Sequence, residues 1–222
     1  MQEKFTISPI AHIYNDFKEK FGVPRQSGLV PDAVSTVVFE QNFQNPDFIR
    51  GIEGFSRLWL IWGFSQAHYD GKSATARPPK LGGNTNIGIF ATRSPFRPNS
   101  LGLSCVKLIK VNENGSLEVS GADLMNGTPI FDIKPYLPYA DSYPEALGGF
   151  ALQEKEGALS VFCPEELKAK LTEQQFLALK QALSHDPRPS YQDDGRIYKM
   201  SYAEFQVEFT VKDGTAQILN IY

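Results

Sequence analysis

A mainly β fold is predicted for this 222-residue chain: an antiparallel barrel or sandwich, followed by a small α+β appendage. Three observations predict it. The first two-thirds consist of short β-branched or aromatic runs bounded by turn residues. No helical pattern of about ten residues or more separates those runs, which removes the βαβ alternation of a doubly wound sheet. Composition agrees, because 12% aromatic residues with 18 glycines and 15 prolines is the turn-rich profile of a chain of short strands.

The predicted strands are Phe5 to Tyr14, Val34 to Glu40, Arg57 to Gln66, Ile87 to Ala91, Leu101 to Val111, Ser116 to Ala122 and Pro129 to Lys134. Trp59 and Trp62 are assigned to structure, since their strand is otherwise apolar. Asn126-Gly127, between the last two strands, is a hairpin signal. Pro135, Pro138 and Pro144 then make a rigid extended connector. A short strand, Leu159 to Phe162, leads into a helix whose first turn carries Pro164, Glu165 and Glu166. Its apolar positions are Leu167, Leu171, Leu179 and Leu183, and it must stop before Pro187. The runs Ile197 to Tyr202, Phe205 to Val211 and Ala216 to Tyr222 follow, the last two as a hairpin around Asp213-Gly214. The boundary falls near residue 140, giving units 1–140 and 141–222.

Several function classes lose support. Cys105 and Cys163 are far apart and the three histidines are scattered, so neither a disulfide framework nor a bound metal is expected. The N-terminus carries no signal-peptide pattern and no apolar run approaches the ~20 residues of a membrane span, which makes a cytoplasmic protein the default. There is no G-x-G-x-x-G, no G-x-x-x-x-G-K-[ST] and no G-x-S-x-G. The net charge of −3 argues at first sight against a nucleic-acid partner, but it conceals an asymmetry. From Gly71 to Lys110 there are seven basic residues and no acidic one, which leaves 15 basic against 25 acidic residues elsewhere. Interleaved with Gly, Pro, Asn and Thr, that block reads as an anion-facing loop system.

Three loop segments can carry chemistry. Val23 to Gly28 is either a surface turn or a substrate loop in which Arg25 and Gln26 offer polar groups to a planar ligand. Arg77 to Asn84 and Ala91 to Ser100 place arginines beside prolines, with Pro95 and Pro98 restricting the backbone around Arg93 and Arg97. Gly121 to Pro129 holds Asp123, a turn former or an acceptor for a ligand N–H. Asp186 to Tyr191 is superficially like the D-P-P-Y motif of amine methyltransferases, but it follows a helix in the appendage, without that motif's doubly wound sheet.

Together, the segments PRQSG, RPPKLGGN, IGIFATRSPFRPNSLGLS, DLMNGTPIFDIKPYLPYADSYP and DPRPSY resemble the TrmO (YaeB, TsaA-like) family, from the first strand to the last motif. The resemblance implies an antiparallel TsaA-like β-barrel and an S-adenosylmethionine-dependent tRNA methyltransferase. Its implied substrate is N6 of the threonylcarbamoyl-modified adenosine 3′ to the anticodon of threonine tRNAs. It also implies a homodimer with the donor site near the subunit interface. Carried over by position, the donor-binding residues are Pro24, Arg25, Gln26, Ala67, His68, Arg93, Leu103, Asp123, Leu124, Met125 and Asn126. The D-P-R-P-x-Y element implies tRNA contacts at Asp186, Arg188 and Tyr191, joined by Arg77, Lys80 and Arg97 of the basic loops. Asn126 stands where close relatives often have Asp, and Ser190 where Ala is common.

Methyl transfer from a sulfonium is an in-line displacement for which positioning and desolvation can carry much of the catalysis. The acceptor nitrogen is the harder partner, so Asp123 or a nearby backbone carbonyl is expected to polarise its N–H, while Arg93 or Arg97 orients the acceptor or its phosphates. Phe96, Tyr136, Tyr139 and Tyr191 are candidate stacking platforms for splayed bases. A noncatalytic RNA-binding barrel and a small-molecule methyltransferase are the alternatives.

Overall fold

Six strands bury alternate side chains and close on themselves: β1 (Ala11–Tyr14), β2 (Val34–Phe39), β3 (Arg57–Gly63), β6 (Leu101–Val111), β7 (Leu117–Ser120) and β8 (Thr128–Pro135). The computed structural model describes residues 4–67, 69–152, 158–188 and 195–222, with Lys80 and Leu152 described by backbone alone. Around the closed barrel the order is β1, β2, β7, β6, β3, β8, and every pairing is antiparallel. Ile13, Val37, Leu58, Leu60, Val106, Leu117, Val119 and Ile130 fill the interior. Each such side chain contributes roughly 1.5–3 kcal/mol by leaving water. The basic loops between β3 and β6 form a small ribbon, β4 (Thr75–Ala76) with β5 (Ile87–Gly88).

After β8 a one-turn helix, α1 (Pro138–Asp141), is tied to the barrel by the Trp59 N–H donating to Asp141, and β9 (Ser160–Phe162), α2 (Glu165–Lys168) and α3 (Glu173–Ser184) follow. The second unit ends in β10 (Ile197–Tyr202), β11 (Phe205–Lys212) and β12 (Thr215–Ile221). Its sheet runs β10, β11, β12, β9, with β9 parallel to β12. Asp213 and Gly214 both have positive φ, as the two-residue hairpin requires. The core of this unit also takes in Phe17, Val30 and Ala33 from the excursion between β1 and β2. Phe17 bridges to Tyr202, and Phe21 stacks on Tyr198 and Phe209.

Five sequence expectations change. The first strand starts at Ala11 instead of Phe5. The Ile87 to Ala91 strand is two residues of ribbon followed by a 3-10 turn, Ile89–Ala91. Asn126-Gly127 makes a turn but no hairpin, because β7 pairs with β2 and β6 whereas β8 pairs with β1 and β3. The single appendage helix is two, because Thr172 and Gln175 form a capping box that starts α3 afresh, and the Pro138 region is helical where an extended connector was expected. Leu167, Leu171, Leu179 and Leu183 are nevertheless all buried.

Trp62 is buried and lies over Gly102 of the neighbouring strand, where an added Cβ would come within 2.3 Å of the indole ring. Gly102→Ala is therefore expected to cost about 1–3 kcal/mol, read as a lower urea midpoint. Gly54→Ala, whose added carbon meets nothing within 4 Å, should leave the midpoint nearly unchanged. Equal midpoints for the two variants would contradict the packing of Trp62.

Candidate active site

Strand β6 pairs with β3 along Leu101–Lys107 but with β7 only from Lys107 onward, so its first half has one strand neighbour. The loop before β2 moves into the gap. Ser27 Oγ accepts from the Cys105 N–H at 3.3 Å, and the Gly28 N–H donates to the Gly121 carbonyl at 2.8 Å. The two glycines allow this approach: both have positive φ, and a Cβ on Gly121 would lie 3.4 Å from the Gly28 backbone. Hydrogen-bonding direction alternates along an antiparallel strand, so the Leu103 N–H and C=O face the same edge as the Cys105 N–H. The Leu103 side chain is exposed.

Asp123 closes this gap from the β7 side. Ala122 and Leu124 are buried in the barrel core and fix the backbone on either side of it. The Ser104 hydroxyl donates to Asp123 Oδ1 at 2.5 Å and accepts from the Trp62 indole N–H at 2.8 Å. Burial pushes the Asp123 carboxyl above its ordinary range, while the Ser104 hydroxyl, the N–H groups of Asp123 and Ser27, and the Arg93 charge act in the opposite direction. Arg93 donates to the Gln26 side-chain carbonyl, and the other end of that amide donates to the Arg25 carbonyl at 2.6 Å. Gln26, Ser27, Arg93, Leu103 and Asp123 thus converge.

The segment after Asp123 is clamped to the end of β1. Asn126 Oδ1 accepts from the Asn15 N–H at 3.0 Å, and Asn15 Nδ2 donates to the Leu124 carbonyl at 2.9 Å. Only the oxygen of Asn126 is used towards Asn15, which an Asp there would supply equally. Met125 is half-buried, and its carbonyl accepts from the Thr128 hydroxyl at 2.7 Å. Pro24 is buried, and Ala67 follows the turn that leaves β3 beside Ser100.

Other expected contacts are distributed differently. Arg25 is exposed and reaches the appendage, where Nη2 donates to the Arg188 carbonyl at 2.8 Å. Arg188 is buried, its Nε donating to Asp186 Oδ1 at 2.8 Å, so its guanidinium shapes the element around it. Arg97 donates to the Thr92 carbonyl at 3.1 Å, and exposed Arg77 to Asn86 Oδ1 at 3.2 Å. Phe96 is half-exposed under Lys20, Tyr139 is exposed, and Tyr136 packs on Trp59. The Trp59 N–H donates to Asp141 Oδ2. His68 and Tyr191 lie outside the described residues, as does the Lys80 side chain. Among the described residues no cluster of His, Cys, Asp and Glu could hold a metal, and no helix is long and apolar enough to cross a membrane.

Ser104 and Asn15 were not singled out from the sequence. The signal for Ser104 was available: in Leu101 to Leu108 it is a polar residue at an inward-facing position of an apolar strand. Asn15 gave none, because the Leu124 and Asn126 groups it clamps lie more than a hundred residues away.

The model of the tRNA-methyltransferase O N-terminal domain matches residues 12–142, and that of the TrmO C-terminal domain matches residues 156–222. The chain belongs to the TrmO family. A tRNA (adenine(37)-N6)-methyltransferase of Escherichia coli K12 is 37% identical over 96% of both chains. A putative S-adenosylmethionine-dependent methyltransferase, RcsF of Pseudomonas aeruginosa PAO1, is 39% identical over 92% of this chain and 91% of its own. A crystal structure of TrmO from Pseudomonas aeruginosa superimposes with a TM-score of 0.81 at 32% identity, covering 100% of this chain and 98% of the other. The barrel expected from the resemblance is the fold observed.

The raised carboxyl of Asp123 has a signed consequence for stability. Above the ordinary carboxylate value of about 3.9 the unfolded chain ionises more readily than the folded one, so Asp123 lowers stability as pH rises through that region. Asp123→Asn should therefore melt at or above the wild-type temperature at pH 7. That advantage should shrink towards pH 4. An advantage that grows on acidification would contradict the burial of this carboxyl.

Proposed function

We propose that the chain is an S-adenosylmethionine-dependent tRNA (adenine-N6)-methyltransferase acting on adenosine 37, in its threonylcarbamoyl-modified form in threonine tRNAs. The observation that carries this reading is the convergence of Gln26, Arg93, Leu103 and Asp123 at the open half of β6, in a chain that matches both TrmO domains. The site suits the methyl donor. An open strand edge at Leu103 offers one N–H and one C=O, the donor and acceptor pair that an adenine edge requires, with Gln26, Ser27 and the clamped 123–126 segment as walls. Bound there, S-adenosylmethionine supplies an activated methyl group on sulfur.

The protein's part is to place the acceptor nitrogen in line with that methyl group and to receive its proton. The N6 lone pair is delocalised into the purine and the carbamoyl, so an acceptor on its N–H returns electron density to nitrogen as the new N–C bond forms and the S–C bond breaks. Asp123 takes this role as general base. Its raised carboxyl makes it a better proton acceptor than an ordinary aspartate, and Ser104 and Trp62 hold its orientation. Arg97, Arg77 and Lys80 belong to the basic loops offered to the anticodon-loop phosphates, with exposed Phe96 on the same loops for stacking and exposed Tyr139 of α1 as a further platform. The element of Asp186, Arg188 and Tyr191 is the tRNA-contacting part of a C-terminal unit spanning 141–222, after a methyltransferase barrel of 1–140, with buried Arg188 paired to Asp186 holding its shape. Exposed Phe90, Leu103, Tyr143 and Leu147 support assembly as a homodimer, and tRNA as substrate supports a cytoplasmic location.

The test uses radiolabelled donor with tRNA prepared with and without the threonylcarbamoyl group. Label is expected only in the modified pool, and Asp123→Ala should lower turnover by about 10²-fold at saturating donor and tRNA. Equal labelling of both pools would sink the substrate requirement, and unchanged turnover would remove Asp123 from its role. Salt-sensitive RNA binding without donor binding would favour a noncatalytic module.

A further inference from the structure

The P-R-Q loop has two neighbouring polar side chains that point in different directions. Gln26 faces Arg93 and the Asp123 pocket, whereas the Arg25 guanidinium leaves the pocket and reaches the end of α3. There Asp186 adopts a positive φ of 48° and its carboxylate gathers the Arg188 N–H at 3.3 Å, Nε at 2.8 Å and Nη2 at 3.2 Å. This fold of Asp186–Arg188 presents two backbone carbonyls to Arg25 Nη2, at 3.4 Å from Asp186 and 2.8 Å from Arg188. The same stretch is tied nearby by His185 Nε2 to the Leu29 carbonyl at 2.9 Å and by Gln181 to Asp32.

A continuous polar chain therefore runs from the C-terminal unit to the pocket. Asp186 holds Arg188, their carbonyls hold Arg25, the Arg25 carbonyl holds Gln26, Gln26 holds Arg93, and the Arg93 charge acts on Asp123. We infer that Arg25 is a positioning residue, a latch that joins the Asp186–Arg188 element to the Gln26–Arg93 wall of the donor pocket, so that RNA seated on the C-terminal unit fixes the geometry around Asp123. This rests on the methyltransferase assignment above. It departs from the role that the family resemblance implies for Arg25, direct contact with the donor. Arg25 is exposed, so its truncation removes the latch without opening a cavity in either core.

The test compares full-length wild type with Arg25→Ala, and with Arg25→Gln as a second truncation of charge. Two measurements are made: amide hydrogen exchange over residues 183–188, and steady-state kinetics with tRNA beside the equilibrium affinity for S-adenosylmethionine. Loss of the latch should speed exchange over 183–188 and raise the KM for tRNA about tenfold, the scale of a lost hydrogen bond from a charged group. Donor affinity should change less than about twofold, and kcat at saturating tRNA should fall several-fold, because bound RNA no longer fixes the geometry around Asp123. Unchanged exchange over 183–188 in both variants overturns the latch. So does a donor affinity that falls tenfold with the tRNA KM unmoved, since Arg25 would then be a donor contact. Wild-type protein that methylates no tRNA would instead overturn the functional assignment, and the exchange measurement would still decide the latch.

Discussion

Strand β6 is eleven residues long and its neighbour β7 only four, so half of β6 lacks a second strand to pair with. Backbone N–H and C=O groups at such an edge need partners, and the rest of the site follows from how they obtain them. Ser27 satisfies the Cys105 N–H, which draws the P-R-Q-S-G loop into the barrel wall. Gly28 and Gly121 let that loop pass close to the chain leaving β7, and the chain then carries Asp123 over the inward-facing Ser104. A longer β7 would complete the sheet, displace the loop and close the open edge at Leu103.

The same excursion that fills the gap belongs to the second core. Phe17, Val30 and Ala33 are buried among residues of the C-terminal unit, while Gln26 and Ser27, between them in sequence, line the barrel gap. One segment thus serves two units, and neither can shift without moving it. The cost is concentrated at Asp123, whose half-buried carboxyl loses part of its hydration and is repaid only in part by Ser104 and Arg93. Such a group at an open edge is what a proton-accepting site requires. Electrostatics on a larger scale agree. The Gly71 to Lys110 block is wholly basic in an otherwise acidic chain, so attraction for phosphate is focused on the loops around Arg93 and Arg97.

Much of this was legible in the residues. Leu101 to Val111 reads as one long strand and is one; the Arg57 to Gln66 run is a strand as far as Gly63, and the Asp213-Gly214 hairpin was equally clear, because alternation and turn chemistry are local. Asn126-Gly127 misled for the same reason. A local hairpin signal says nothing about which strands are neighbours, and here barrel closure separates β7 from β8. The helix break at Thr172 was written in its T-E-Q-Q sequence but was outweighed by the leucine spacing. For the site, the fold brings the candidates Gln26, Arg93 and Asp123 together, with Leu103 next to the Ser104 that holds Asp123. Arg25 was grouped with them by adjacency, and only the fold reveals that its side chain turns to residues about 160 positions away.

The central claim is that the unpaired half of β6 receives the methyl donor. Amide hydrogen exchange of the full-length protein with and without saturating S-adenosylmethionine tests it most directly. Slower exchange at Leu103 and across residues 123–126 is the predicted result. Unchanged exchange there, with protection appearing elsewhere on the chain, would contradict it.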